Sequence, residues 1–390
     1  MAQRVSVGIS SAADTTEAFA EAAEVASSGL AGPPDLCVTF AGPHHLAHLD
    51  AALREVSALL GAPATIGCGA AGVLGPGREI EDGPGAVVWA AELPSAEVEP
   101  FAVSGGLGAG PDDILGVPGP EAGRGRPDAV LVLADPYRFP AQSLLGRFNS
   151  ELPGTPVLGG LASAAVQGAA PLVLAGQRAG GDVGAVGCLL RGVEMTPCVS
   201  QGATPIGPEM AITAAEGNVV GELAFKPALE RLGEVVSALS ADERRQAASG
   251  MLIGVVIDEN RPEHERGDFL VRPIVGADRK TGAVTVGESV RVGQTVRLHV
   301  RDGASADADL REALALQAGA LGERGAAGAL MFTCNGRGRG LFGVADHDAD
   351  AVEDTLAAPV GGFFCAGEIG PVAGSNFLHG FTATLAVFAS

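Results

Sequence analysis

The strongest constraint on the fold is an internal repeat in the N-terminal half of the chain. Residues 34–75 and 127–168 align without a gap at a constant offset of 93 residues (34 to 127). The identical pairs are Pro34 with Pro127, Asp35 with Asp128, Pro43 with Pro136, Gly61 with Gly154, Pro63 with Pro156, Gly67 with Gly160 and Gly75 with Gly168. Each copy has an apolar strand, an amphipathic helix, and a second short strand that leads into a glycine-rich turn. This order and length predict a βαβ unit, which favours a parallel sheet with helices on its faces.

The C-terminal half repeats this pattern less closely. A third copy, which aligns only with gaps, has a strand at 328–334, a helix near 347–357 and the string PVGGFFCAGEIG. Before it, residues 269–302 predict consecutive antiparallel strands, and residues 207–250 predict helices. The predicted fold class is therefore α/β, with repeated βαβ units in mixed or parallel sheets and an antiparallel β segment near 269–302.

Length and composition narrow the class of protein. A chain of 390 residues predicts two domains, which we assign to residues 1–210 and 211–390. A net charge of −21 argues against nucleic-acid binding, which needs clustered Lys and Arg. No apolar run approaches the roughly 18 residues of a membrane span, and the start MAQRVSVGIS does not resemble a signal peptide. The six cysteines form no CxxC pair, which favours reduced thiols and a cytoplasmic location without membrane partners.

Polar, glycine-rich turns follow two apolar runs near the C-terminus, and they predict a small-molecule site. In open α/β sheets, ligands bind outside the carboxyl ends of the strands. The candidate ligand-binding residues are Cys334, Asn335, Gly336, Arg337, Gly338, Cys365, Gly367, Glu368, Asn376 and His379. Arg337 suits a ligand carboxylate, because its planar fork binds carboxylates bidentately, and Glu368 suits an ammonium group. The alternatives are that Arg337 and Glu368 form a structural ion pair, or that the turns only connect core strands.

An enzyme is the second hypothesis for this region. Cys334 lies beside Arg337, which favours a reactive thiol, and a couple between Cys334 and His379 would begin a nucleophilic mechanism. The sequence names no third member to orient them, so a catalytic role is left as the alternative. A non-catalytic interaction scaffold is the third hypothesis.

Metal and nucleotide sites have weaker support. His44 and His48 would share a helix face if a helix began by residue 44. A catalytic metal site needs a third protein ligand, and no nearby residue has the spacing to supply it. Residues 72–79 (GVLGPGRE) contain GxxGxG rather than the ordered dinucleotide fingerprint, and no phosphate-binding GxxxxGK[ST] string occurs. The sequence therefore predicts no metal and no cofactor.

Several strings together resemble the FIST family, the "F-box and intracellular signal transduction" sensory proteins. FLVRPIVGADRKTGAVTVGESVRVGQTVRLHVRD, CNGRGRGLFG and GFFCAGEIGPVAGSNFLHGFTATLAVF resemble the FIST C-terminal domain, and PDLCVTFA and TIGCGAAGVLGPGREIE resemble the N-terminal one. The resemblance implies a small-ligand sensory protein, with an amino acid or a similar small carboxylate as the ligand. The resemblance also implies that family members are joined to chemoreceptor, kinase or ubiquitin-ligase parts. This sequence leaves no room for such an output part, so we expect the signal to pass through a separate protein partner.

Overall fold

A computed structural model describes residues 2–119 and 125–390 of the chain. It contains helices together with parallel and antiparallel strands, so the predicted α/β class is confirmed. The chain forms two compact units. The first comprises Met1–Val199 and Leu310–Ser390, and the second comprises Ser200–Asp309.

The secondary-structure elements are numbered in chain order. The strands are β1 (Arg4–Ser10), β2 (Leu36–Ala41), β3 (Ala64–Gly69), β4 (Val73–Gly75), β5 (Arg78–Ile80), β6 (Ala86–Glu92), β7 (Glu97–Ser104), β8 (Ala129–Ala134), β9 (Val157–Leu161), β10 (Leu172–Leu174), β11 (Gln177–Arg178), β12 (Val183–Arg191), β13 (Met195–Ser200), β14 (Thr204–Glu216), β15 (Val219–Leu223), β16 (Lys226–Pro227), β17 (Met251–Val256), β18 (Phe269–Asp278), β19 (Ala283–Val286), β20 (Thr295–Val300), β21 (Ala326–Cys334), β22 (Val360–Cys365), β23 (Glu368–Val372), β24 (Ser375–His379) and β25 (Ala383–Ala389). The α-helices are α1 (Thr15–Ser28), α2 (Leu49–Leu60), α3 (Ala141–Glu151), α4 (Ala228–Ala238), α5 (Ala241–Ser249), α6 (Gly303–Leu321), α7 (Arg339–Phe342) and α8 (His347–Leu356). Short 3₁₀ helices lie at Pro43–His48, Pro111–Asp113 and Gly322–Arg324.

Three six-stranded sheets build the first unit. Their strand orders are β1-β6-β2-β3-β10-β11, β24-β23-β9-β8-β12-β7 and β13-β25-β21-β22-β4-β5. Each sheet contains a parallel pair of neighbouring strands, namely β2 with β3, β8 with β9, and β21 with β22. The chain between the members of each pair contains a helix, which is α2, α3 and α8 respectively. A parallel pair requires such a crossover connection.

Strands from both ends of the chain share these sheets. β4 pairs with β22, and β9 pairs with β23. This pairing explains why the compact units differ from the division at residues 1–210 and 211–390, since a sheet that joins distant segments cannot be divided at one point in the sequence.

An aromatic core lies between two sheets of the first unit, the one that contains β2 and β6 and the one that contains β22 and β25. Phe40 stacks on Phe363 with ring centroids 4.7 Å apart, and Trp89 packs against Phe388 at 5.2 Å. All four rings are buried, and the Trp89 indole N–H donates to the Ala329 carbonyl at 3.0 Å. Burying each such ring contributes about 1.5–3 kcal/mol, so these contacts hold the sheets against one another.

The second unit is a seven-stranded antiparallel sheet in the order β14-β20-β17-β18-β19-β15-β16. β14 also pairs with β15, so the sheet closes into a barrel-like form. The antiparallel strands predicted near 269–302 are present as β18, β19 and β20.

The helical prediction for residues 207–250 is wrong in its first half. β14 and β15 occupy that half, while α4 and α5 follow as helices. β14 buries Ile206, Met210 and Ile212 against the barrel interior, and a two-residue loop at Gly217 (φ 59°) turns the chain into β15. Pairing with β20 on one side and β15 on the other overrides the helix propensity of the alanines.

In the part of the chain that the structure describes, no helix is both long enough and apolar enough to cross a membrane.

Replacing Gly362 by Ala is expected to destabilise the first unit by about 1–3 kcal/mol, because overpacking strains a close-packed core. A Cβ at Gly362 would lie 1.9 Å from the Met331 carbonyl oxygen on the neighbouring strand. The control is Gly319→Ala at an exposed position of α6, where a Cβ meets no atom within 4 Å and stability should rise by up to about 1 kcal/mol. Urea unfolding measures both. Equal stability of Gly362→Ala and the parent would contradict the packing described here.

Candidate ligand site at the ends of the C-terminal strands

The site begins where β21 and β22 end side by side. Cys334 and Cys365 are direct partners in this parallel pair. The turn after β21 folds onto the neighbouring strand, because the Asn335 amide donates to the Cys365 carbonyl at 2.9 Å and the Arg337 amide donates to the Cys334 carbonyl at 2.8 Å. The glycine-rich turn predicted from sequence therefore lies at the carboxyl edge of the sheet.

The Arg337 side chain turns inward and is fully buried. Its Nε donates to Asp348 Oδ2 at 2.8 Å and its Nη2 donates to Asp348 Oδ1 at 2.9 Å, which is the bidentate geometry that makes such pairs strong. The face of the guanidinium lies over the Phe342 ring, 5.0 Å from its centroid. Asp348, in the first turn of α8, was not predicted, and nothing in the spacing of eleven residues marks it as the partner of Arg337.

Asp348 is stabilised as a carboxylate despite complete burial. Its Oδ2 also accepts from Thr333 Oγ1 at 2.7 Å, and its Oδ1 lies 3.0 Å from His347 Nδ1. Burial alone raises the pKa of Asp348, but the Arg337 charge and these hydrogen bonds outweigh it and hold the pKa well below its usual range. The pair is therefore ionised throughout the neutral range.

Arg337 keeps one unsatisfied donor. Within the described residues, its buried Nη1 has no hydrogen-bond partner. The Asp348 charge holds the pKa of Arg337 above its ordinary value despite burial, with smaller contributions from Cys334 and Glu368. A charged donor without a partner inside a protein costs on the order of 1–3 kcal/mol or more.

Glu368 is the matching acceptor at the start of β23. It is completely buried, and its Oε2 accepts from the Thr382 amide at 3.0 Å and from Thr382 Oγ1 at 2.7 Å. Among the described residues, Oε1 makes no hydrogen bond of ordinary geometry. Burial raises the pKa of Glu368 to about 7, although Thr382, the Arg337 charge and the Cys334 thiol all act to lower it. The carboxyl group therefore changes its protonation state near neutral pH.

The other predicted residues near Arg337 and Glu368 differ in burial and in backbone geometry. Asn335 and Gly336 lie exposed in the turn, and Cys334 is partly buried. Gly338 has φ 74°, and a Cβ there would lie 2.6 Å from Glu81 Oε2, so glycine is required for this turn. Cys365 is buried behind it, where burial raises the pKa of its thiol well above the ordinary value.

Asn376 is engaged in structure. Its Nδ2 donates to Asn149 Oδ1 and to the Thr155 carbonyl, both at 2.9 Å, and its Oδ1 accepts from the Val157 amide at 2.8 Å. These bonds tie β24 to α3 and to the start of β9, so they account for both polar ends of the Asn376 side chain.

His379 is buried on β24, directly across from Glu368 in the strand pair, and its Nε2 lies 3.0 Å from the Gly370 carbonyl. Gly367 packs closely, since a Cβ there would lie 3.0 Å from Leu161. A catalytic couple of Cys334 and His379 stays a prediction.

The histidines of the metal hypothesis lie in the 3₁₀ helix Pro43–His48. Side chains three residues apart, not four, are aligned in a 3₁₀ helix, so His44 and His48 do not share the predicted face. Residues 2–119 and 125–390 contain no group of three His, Cys, Asp or Glu side chains arranged to hold a metal.

Arg337 and Glu368 are both buried in this structure. Three cavities of about 270, 330 and 420 Å³ lie elsewhere in the first unit, and neither Arg337 nor Glu368 lines any of them. Both unsatisfied atoms, Arg337 Nη1 and Glu368 Oε1, are buried.

Replacing Asp348 by Asn is expected to lower the free energy of unfolding by about 3–5 kcal/mol, because the Arg337 charge stays buried without its counter-charge. The matched control is Asp82→Asn, since Asp82 pairs with Arg339 at the surface, where the two side chains are 87% and 60% exposed. That change should cost less than about 1 kcal/mol. Chemical denaturation of both variants measures the difference. Similar losses in the two would show that burial adds nothing to the pair.

Glu368 also predicts a pH dependence. A carboxyl group whose pKa is about 7 in the folded protein and 4.5 in the unfolded chain binds more protons when folded. Its contribution to stability is therefore full below pH 4.5 and is lost as the pH rises to about 7, by up to about 1.4 kcal/mol per pH unit. Glu368→Gln stays neutral, so its stability relative to the parent should increase across that window. A difference that does not change between pH 4.5 and 7.5 in urea unfolding would contradict the raised pKa.

Comparison with known proteins agrees with the resemblance seen in the sequence. The family model of the FIST N domain matches residues 35–226, and that of the FIST C domain matches residues 228–371. An uncharacterized protein of Mycobacterium bovis is 42% identical over 399 residues, covering 99% of this chain and 98% of the relative. An uncharacterized protein of Mycobacterium tuberculosis is 42% identical over 406 residues, covering 99% of each chain. Matched by both family models over most of its length, the chain belongs to the FIST family.

Proposed function

We propose that this protein is a cytoplasmic sensor that binds an amino acid or a similar small carboxylate at Arg337 and Glu368. FIST domains are consistent with a sensory role in which a small ligand is bound, and membership of the family supports that part of the proposal. The chemistry of the ligand is argued from the site.

The observation that carries the proposal is the pair of buried, unsatisfied polar atoms. Arg337 Nη1 is a charged donor and Glu368 Oε1 is an acceptor, and each belongs to a side chain whose other polar atoms are held by neighbours. Asp348 and Thr382 thus orient the two groups before a ligand arrives, and such preorganisation favours binding. A ligand carboxylate would accept from Arg337, and its ammonium would donate to Glu368.

Because Arg337 Nη1 and Glu368 Oε1 are buried, a ligand can reach them only after part of the protein moves. The turn that follows β21 is the exposed cover, since Asn335 and Gly336 lie at the surface directly before Arg337. A ligand that binds the open arrangement more tightly than the closed one shifts the population toward it. We propose that a protein partner recognises this change and transmits the signal.

A panel of amino acids and small carboxylates in a thermal-shift assay tests the ligand class. A ligand present at about 100 times its Kd should add roughly 2.7 kcal/mol to the stability of the folded protein. Glu368→Gln should lose the response to amino acids, because it removes the charge that holds the ammonium. Glu194→Gln is the control, since the Glu194 side chain is 65% exposed at the surface.

Two outcomes would end the proposal. One is a folded parent protein that responds to no member of the panel. The other is a response that Glu368→Gln and the control variant both retain in full, which would place the ligand elsewhere.

A further inference from the structure

A second cleft lies at the carboxyl edge of the N-terminal parallel strands, away from the residues of the site described above. The loop after β8 carries Arg138, the turn after β9 carries Gln167, and the loop that leads into β12 carries Gly180 and Gly181. These segments line a cavity of about 270 Å³. A neighbouring cavity of about 330 Å³ shares Arg138 and Gly181 with it. This edge of a parallel sheet is where open α/β folds bind their ligands.

Two arginines line the 270 Å³ cavity, and no carboxylate does. The chain carries a net charge of −21. The charged residues that line this cavity are both arginines, so their charge is opposite in sign to that of the whole protein. Field lines concentrate in such a recess, and the local concentration of anions rises there. Asp135 and Asp50 lie beside the two arginines but do not line the cavity, and Asp182 lines the neighbouring cavity.

Both arginines are held by other groups yet keep free donors. Arg138 Nε donates to buried Asp135 at 3.0 Å and its Nη1 donates to the Gly181 carbonyl at 3.1 Å, while its side chain stays 45% exposed. Arg178 Nη2 donates to the Leu46 carbonyl, and its Nε lies 3.4 Å from Asp50 without a hydrogen bond. Among the described residues, Arg138 Nη2 and Arg178 Nη1 have no hydrogen-bond partner. These anchors orient the two guanidinium groups and leave each able to bind an oxyanion.

The turn that carries Gln167 has a strained backbone. Gln167 has φ 53°, a left-handed backbone that side-chain-bearing residues seldom adopt, and it lines the same cavity. Strain of this kind concentrates at ligand-binding segments. At about 270 Å³ the cavity is slightly smaller than the range of about 300–1,000 Å³ usual for drug-sized ligands, a size that suits a small molecule.

We infer that this cavity is a second binding site, which takes a small molecule through a carboxylate or phosphate group placed between Arg138 and Arg178. The forked donors of arginine match both oxyanions. The inference rests on this cavity alone and does not depend on the function proposed for Arg337 and Glu368.

Titration with inorganic phosphate and with succinate tests it, each measured by calorimetry and by thermal shift against potassium chloride of equal ionic strength. We expect saturable binding of at least one of the two anions by the parent protein. Arg138→Gln and Arg178→Gln should each weaken that binding about tenfold or more, since each removes a charge-assisted bond. Binding of phosphate alone assigns a phosphate-bearing ligand, and binding of succinate alone assigns a carboxylate.

The matched control is Arg147→Gln. Arg147 is similar to Arg178 in exposure, 28% against 32%, but pairs with Glu151 on α3 and does not line this cavity. Gln167→Glu is the second variant: it keeps both arginines and the exposed turn while adding a negative charge to the lining, and it should weaken binding several-fold even if an arginine variant fails to fold. No response of the folded parent beyond that to chloride would overturn the inference. So would equal weakening by Arg147→Gln, or unchanged binding by Gln167→Glu.

Discussion

The buried ion pair between Arg337 and Asp348 is the interaction on which the C-terminal site depends. Removing two charges from water costs several kcal/mol per ion, and only good geometry with further hydrogen bonds offsets it. Here both oxygens of Asp348 accept from Arg337, and Thr333 and His347 supply the remaining contacts. The ring of Phe342 covers the guanidinium face, and His347 stacks on that ring with centroids 3.4 Å apart. The turn after β21 is thereby fixed to the first turn of α8.

The N-terminal half of the chain completes this arrangement. Glu79 Oε1 accepts from the amides of Asp348 and Ala349, at 2.8 and 3.1 Å, and so satisfies two free donors at the start of α8. Glu81 Oε1 accepts from the Arg339 amide at 2.8 Å on the other side of the turn. Burial and the neighbouring Asp348 charge raise the pKa of Glu79 to about 7. A site built from C-terminal residues is therefore held in place by carboxylates more than 250 positions earlier.

Much of the local structure was accessible from the sequence, because it depends on neighbours along the chain. The amphipathic helix predicted in each copy of the N-terminal repeat is present, as α2 in the first copy and α3 in the second. The turns at the ends of β21 and β22 were also predicted, since apolar runs that stop at glycine and polar residues mark strand ends. β14 was missed because alanine and glutamate favour a helix, whereas its pairing with β15 and β20 lies outside any local window.

The sequence alone determined the α/β class, the strand ends that carry polar residues, and the family, because each is written in short patterns of apolar and glycine residues. Only the tertiary structure decided which charged side chains form ion pairs. Arg337 pairs with Asp348 rather than Glu368 because α8 returns over the end of β21, and only this packing brings the two side chains together. It also decided that Glu368 is buried with one oxygen unsatisfied, since burial is a property of the surrounding sheets and not of the residue. Contacts between distant segments depend on how complete elements pack, so no local pattern encodes them.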